Sequence, residues 1–280
     1  MFTKREVFTE TFLPRDLPGR ERELDALAAR LGSTTRGKPA QSVWELGPSG
    51  VGKTTTARYL LEDLRVNHVV DWARVECVGS TRWEILNEIC SKHGRVPHHA
   101  GTGTDELVAK LQANVDSPYI VILDEFDGLE DPEVLADLYH VDPISLICIG
   151  HDYEQAIATV PDEAEGLRHA PVIEFDPYGV DALLEILEAR VETGLEPGVV
   201  DGGQLERIAG HASGSARRAV QSLRSAVELG EDRGHTNVES EDVDDCFEHA
   251  QSRIREQLLS SLSREHHIVY QVIRDAGAEG

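Results

Sequence analysis

The chain has 280 residues, a length for one large or two modest domains, and 40% hydrophobic with 28% charged residues describes a globular polypeptide able to bury a real core. Its longest apolar stretches, residues 119–123 and 144–149, are far too short to span a bilayer, and no signal-like apolar run follows Met1, so a cytoplasmic chain with no membrane partner is expected. Four scattered cysteines (Cys77, Cys90, Cys148, Cys246) have neither the spacing of a zinc site nor the density of a disulfide framework.

Charge is the first positive clue. The 51 acidic and 27 basic residues leave a formal net charge of −24. A chain this acidic repels nucleic acid in dilute buffer, because basic groups on phosphate supply most non-specific affinity. At about 1 M salt the Debye length falls to about 3 Å and that repulsion is screened. The composition therefore suits a halophile's cytoplasm; the alternative is a mesophilic acidic protein with no nucleic-acid partner.

Leu24, Leu27, Ala28 and Leu31 recur at helical spacing behind Pro18-Gly19-Arg20, predicting an opening loop and a surface helix. A turn-rich connector at 32–39 leads to a short buried strand at 42–46. Strands then alternate with helices: a strand at 69–77, a helix carrying Ile85, Leu86 and Ile89, a helix near 107–111, and strands at 119–123, 144–149 and 172–175. That alternation predicts an α/β fold, a doubly wound parallel sheet with helices on both faces. Residues 180–191, 204–209, 216–229 and 243–262 carry only helical repeats and read as a separate all-helical domain. One more amphipathic helix, with Ile268, Val269, Val272 and Ile273, is expected after it.

Gly47-Pro48-Ser49-Gly50-Val51-Gly52-Lys53-Thr54, followed by Thr55, fits the P-loop pattern with a strand before it and a helix after it. Glycines let successive N–H groups turn inward around an anionic oxygen, and the helix N-terminus adds partial positive charge. Lys53 is expected to reach the terminal phosphates and the Thr54 hydroxyl to hold Mg²⁺. An apolar strand ending in Asp124-Glu125 supplies the partner element: Asp124 for the metal through its water shell, Glu125 to orient or deprotonate an attacking water. These residues describe an ATP- or GTP-binding fold.

Together with the flanking segments they resemble the AAA+ ATPases, and within them the archaeal origin-recognition and cell-division-cycle type replication initiators. Phe12-Leu13-Pro14-Arg15 through Gly19-Arg20-Glu21-Arg22-Glu23-Leu24 is similar to the family's opening box, whose loop lies against adenine, which implies roles for Pro14 and Arg15. Val75-Glu76-Cys77 through Leu86 resembles the region where initiators carry a DNA-contacting insertion. Phe175-Asp176-Pro177-Tyr178, with Arg190 twelve residues on, is similar to the first lid segment, in which Tyr178 and Arg190 approach the nucleotide. Gly214-Ser215-Ala216-Arg217-Arg218-Ala219 resembles the second sensor, which makes Arg217 the lid arginine for the γ-phosphate.

The resemblance implies a nucleotide-binding base domain over 1–175, a lid over 176–250, and over 251–280 a linker with the start of a winged helix, whose first residues match at 263–268 and which the sequence does not complete. It also implies an ATP/ADP switch with Mg²⁺ that acts on origin-type double-stranded DNA and self-associates through AAA+ faces. Two departures bear on turnover. His151 stands at the first-sensor position, and the stretch 160–167 is acidic where an arginine finger is usual, with Arg168 off the matching position. Hydrolysis is therefore expected to be weak. The competing reading is a degenerate nucleotide-binding regulatory module that partners a full-length initiator paralogue or another protein and does not itself bind DNA. His93, His98 and His99 read as a polar loop rather than a metal site, and the acidic run 239–245 as a solvated helix face.

Overall fold

A computed structural model describes residues 1–68, 70–261 and 269–270. The expected terminal helix and the winged-helix match at 263–268 lie outside these residues, apart from Val269. The chain forms two compact units, Leu13–Pro177 and a second that joins Met1–Phe12 to the chain from Tyr178 onward.

The first unit is the expected doubly wound sheet. Five strands, β1 (Val43–Leu46), β2 (Asp71–Glu76), β3 (Tyr119–Asp124), β4 (Ile144–Gly150) and β5 (Val172–Glu174), are all parallel in the order β2-β3-β4-β1-β5. Because side chains alternate across a strand, each strand feeds two cores. On one face Val43, Ile120, Ile122, Ile147 and Ile149 pack on α1 (Glu21–Leu31) and α2 (Lys53–Asn67). On the other, Trp44, Val121, Leu123 and Cys148 pack on α3 (Arg82–His93), α4 (Thr104–Asn114) and α5 (Glu133–Tyr139), with Ala156 of α6 (Tyr153–Thr159). The Trp44 indole donates to the Leu167 carbonyl at 2.9 Å and meets Phe126 edge-on. The helix after β1 and the helix after β4 lie on opposite faces, so a crevice opens between the carboxyl ends of these neighbouring strands, where open α/β sheets bind ligands.

The second unit holds α7 (Val180–Gly194), α8 (Gly202–His211), α9 (Ala216–Arg233) and α10 (Ser240–Ser261) around Leu187, Ile208, Leu223, Val227 and Val243. Local chemistry starts these helices: Asp201 and Gln204 form a reciprocal capping box at α8, and the Ser215 hydroxyl accepts from the Arg218 N–H at α9. The sequence reading counts residues 1–12 with the base domain; here they form a strap in the helical unit's core. The Thr3 and Lys4 N–H groups both donate to Gly194, and Val7 and Phe8 are fully buried among the lid helices. A side chain at Gly194 would strike Phe8 and Val7, so a glycine there admits the strap.

The acidic run 239–245 is not a uniformly solvated face. Asp242 is fully buried, accepting the Glu239 N–H at 2.8 Å, Arg233 at 2.7 Å and His235 at 2.9 Å. Asp242 caps α10 and neutralises Arg233 at the end of α9, a task that a count of acidic residues does not reveal.

The strap yields a prediction. Phe8→Ala removes a buried ring from the helical core and should destabilise that unit by about 3–5 kcal/mol, read as a lower denaturant midpoint in an unfolding titration followed by far-UV circular dichroism.

Candidate nucleotide-binding site

The P-loop leaves β1 and turns on three glycines with positive φ, Gly47 (148°), Gly50 (79°) and Gly52 (91°). A Cβ at Gly47 would collide with the Phe175 backbone, so this glycine is required both for its conformation and for close approach to β5. Gly52 caps α2, and helical hydrogen bonding begins at Thr56 N–H to the Gly52 carbonyl, 2.9 Å. The first-turn N–H groups of α2 thus face the crevice, a geometry that favours an anion. Lys53 is nearly buried, and its ammonium donates to the Gly47 and Pro48 carbonyls at 2.6 and 2.8 Å.

Beside the loop, the Thr54 hydroxyl lies 3.1 and 2.9 Å from the two oxygens of Asp124, at the end of β3. The pair offers only oxygen donors, which suits a hard cation such as Mg²⁺. Glu125 follows with φ 52° and ψ 46°, a left-handed conformation that costs a non-glycine residue about 1–3 kcal/mol and recurs at functional sites. The Glu125 N–H donates to Asp124 Oδ1 at 3.1 Å, which fixes that turn.

The opening box is tied to this loop. Arg20 is buried; its guanidinium donates to the Val51 carbonyl at 3.0 Å, the Asp176 carbonyl at 2.6 Å and the Glu23 carboxylate at 2.7 Å. The Tyr59 hydroxyl of α2 donates to the Arg15 carbonyl at 2.9 Å, which holds the Pro14-Arg15 segment against the helix that follows the P-loop. His151 is not isolated: its ring and its backbone N–H both contact Asp127 Oδ2, at 2.6 and 2.7 Å. Burial pushes the Asp127 carboxyl up, but these two hydrogen bonds outweigh it and hold the pKa below the usual value. The end of β4 is thereby bonded to the turn after β3.

The structure thus gathers Gly47 to Thr55, Asp124 and Glu125 in one unit. Tyr178, Arg190 and Arg217 belong to the helical unit and have partners there. The Tyr178 N–H donates to the Gly214 carbonyl at 2.9 Å, and the residue is buried in the helical core. Arg190 donates to the Val7 carbonyl at 2.5 Å and stacks over Phe12, and burial pulls its pKa down to about 10. Arg217 pairs with Glu10 of the strap at 2.9 Å. Arg168 is spent locally, on the Val160 carbonyl and Asp162. His98 and His99 bond within their own loop, at Val96 and Gly101, and His93 lies buried edge-on to Tyr119.

Three residues of this site escape sequence reading. Arg20 stands in the quoted box but carries no sign there of being buried. Arg74 of β2 sets its Nε 2.6 Å from Asp124 Oδ2. Glu45 is the third: it is fully buried two residues before the loop, on the α1–α2 face with Val43, and both carboxyl oxygens lack hydrogen-bond partners among the described residues. Only its place in an otherwise apolar strand signals it. Burial drives its pKa well above the ordinary value, helped by the Asp124 carboxylate and opposed by Lys53.

A raised acid pKa in the folded state means that the folded chain keeps a proton the unfolded chain has released. Stability attached to Glu45 is therefore present below the unfolded glutamate pKa, about 4.3, and is lost as pH rises toward the folded value. Within that window the loss should approach about 1.4 kcal/mol per pH unit. Glu45→Gln should flatten the slope, as measured by denaturant midpoints from pH 4.5 upward.

Comparison with known proteins agrees with this architecture. The family described as AAA domain matches residues 38–157, and the family described as Cdc6 AAA+ ATPase-type lid domain matches 184–248. ORC1-type DNA replication protein 1 of Halobacterium salinarum is 32% identical over 99% of this chain and 92% of its own length; ORC1-type DNA replication protein 9 of the same organism is 33% identical over 100% and 80%. Among solved structures, Cdc6p from Pyrobaculum aerophilum superposes with a TM-score of 0.79 at 24% identity, covering 89% of this chain and 72% of that one. The Aeropyrum pernix ORC1 protein, solved in complex with DNA, superposes with a TM-score of 0.79 at 28% identity, covering 98% and 76%. An AAA+ sheet with a P-loop, a Cdc6-type lid and relatives at this identity over 80% and 92% of their own length make the chain a member of the ORC1-type DNA replication protein family.

Proposed function

We propose that the chain is an ATP/ADP-switched initiator that recognises origin-type double-stranded DNA. The observation that carries this reading is the P-loop Gly47 to Thr55 with the Thr54 hydroxyl against Asp124, in a chain of the ORC1-type family. Gly47, Pro48, Ser49, Gly50, Val51 and Gly52 would wrap the phosphates with backbone N–H groups, joined by Thr55. Lys53 would leave the loop carbonyls for the terminal phosphates. Thr54 and Asp124 would hold Mg²⁺, which when bound offsets the phosphate charge. Glu125 would orient the attacking water.

Pro14 and Arg15 would border the base, while Tyr178, Arg190 and Arg217 of the helical unit answer to the nucleotide. An arginine that exchanges a carboxylate such as Glu10 for a γ-phosphate is a two-state element, and such an element can make DNA contact depend on the nucleotide. The DNA reading draws on the Aeropyrum pernix relative solved with DNA. Slow hydrolysis fits a histidine, bonded to Asp127, at the first-sensor position and no arginine at the finger position.

One observation favours a second reading, in which the nucleotide-bound chain engages a paralogue instead of DNA. The net charge is −24, and basic side chains of α3 and the turn after it are already engaged: Arg82 with Asp137 and Glu133, Lys92 with Glu88, Arg95 with Asp71.

Footprinting on DNA of the host chromosome in molar KCl, with ATP or ADP, separates the two. The initiator reading expects discrete protected sites with ATP that fade with ADP. Lys53→Ala should weaken nucleotide binding at least about tenfold, the factor for one hydrogen bond to a charged group, and abolish the ATP dependence. Tight ATP binding with no protection in any state would leave the partner-module reading.

A further inference from the structure

We propose that Arg74 is a built-in cation for the Asp124 carboxylate, one that competes with the divalent ion of a metal–nucleotide complex and so sets how strongly the metal tightens nucleotide binding. The inference rests on the reading of Thr54 and Asp124 as the metal pair.

Arg74 lies on β2 two residues before Glu76, which is in register with Asp124 on β3. Its side chain runs toward the carboxyl edge of the sheet and brings Nε to 2.6 Å from Asp124 Oδ2. A carboxylate has about four lone-pair sites. At Asp124 the Glu125 N–H takes one on Oδ1, the Thr54 proton takes another, and the guanidinium Nε–H takes one on Oδ2. The carboxylate is 4% exposed, so the pair is screened by salt much less than a surface pair.

A divalent ion, bound directly or through its waters, needs acceptor capacity at this same carboxylate. It also needs the Thr54 oxygen to present a lone pair, which the hydroxyl can do by rotating. Arg74 has no such local adjustment: it keeps its charge at any accessible pH, and it must move or share Oδ2 with a dication it repels. A way out exists, because the side chain is 38% exposed and its Nη2 is already 4.0 Å from Glu76, an exposed carboxylate of the same strand. The geometry thus provides two resting places for one guanidinium, Asp124 without the metal and Glu76 with it. Without the metal, Arg74 supplies the positive charge that lets phosphates approach Asp124. Nucleotide binding should therefore depend on metal less steeply than the bare Thr54–Asp124 pair would require.

The test measures the affinity of the full chain for mant-ADP in molar KCl, once in EDTA and once in saturating Mn²⁺. The readout is the ratio of the two dissociation constants, a binding quantity independent of turnover. Arg74→Gln should raise that ratio about tenfold, the factor for losing one hydrogen bond to a charged group. Arg74→Lys, which keeps the charge, should bring it back toward wild type. Arg74→Met retains the volume of the stem and carries the same expectation where the glutamine variant does not fold. A ratio unchanged or lowered in Arg74→Gln or Arg74→Met overturns the inference, the lowered value meaning that Arg74 props Asp124 for the metal. Wild-type chain that binds no mant-ADP in either condition overturns the nucleotide reading and this inference together.

Discussion

Burying a carboxylate at the end of a sheet is expensive unless its acceptors are filled, and the neighbourhood of Asp124 follows from that constraint. The residue ends β3, so the parallel pairing of β2, β3 and β4 decides where its charge lies. Its partners come from three other places in the chain: Thr54 at the start of α2, Arg74 on β2 and the Glu125 N–H in the turn that follows. The sheet sets Asp124 and the strand that carries Arg74, while α2 and the turn after β3 bring Thr54 and the Glu125 N–H to the same carboxylate. Glu45 enters the same account with opposite sign. Burial without a hydrogen-bond partner among the described residues, with the Asp124 carboxylate nearby, drives its pKa well above the ordinary value.

Much of this was legible in the sequence because the signals are local. Apolar runs bounded by turn residues marked all five strands, and the P-loop is a contiguous motif whose backbone demands show directly as glycines. The residues that escaped are those whose meaning depends on distant partners. Arg20, Arg74 and Asp242 are ordinary charged residues until the fold sets a carbonyl or a counter-ion beside them. Two short helices, α5 and α6, were missed since seven residues give barely two turns of periodicity. The opening twelve residues looked like a leader to α1, and only the lid's packing reveals Val7 and Phe8 as core.

The acidic composition takes on a more specific meaning beside the fold. Many arginines here are committed to carboxylates or carbonyls within the chain, and several of these ties join distant segments: Arg82 binds α3 to α5, Arg20 binds the opening box to the P-loop, and Arg233 binds α9 to α10. Exposed pairs of this sort are worth little at high ionic strength, whereas those with one buried member retain more. In concentrated salt the surface excess of carboxylates would be screened while the half-buried ties persist.

The strap gives the chain an unusual order of assembly. The helical unit is discontinuous, since the polypeptide starts it, leaves for the whole of Leu13–Pro177, and returns. During synthesis Val7 and Phe8 leave the ribosome first, yet Leu223 and Val227 in the same core follow more than two hundred residues later, roughly ten to forty seconds at 5–20 residues per second. The sheet unit can complete its own folding in that interval, while Val7 and Phe8 wait for their partners. Closing the helical core then makes the sheet unit a loop anchored at both ends, one end by the covalent chain at 177–178 and the other by the strap's packing, so opening the strap would leave the covalent link alone.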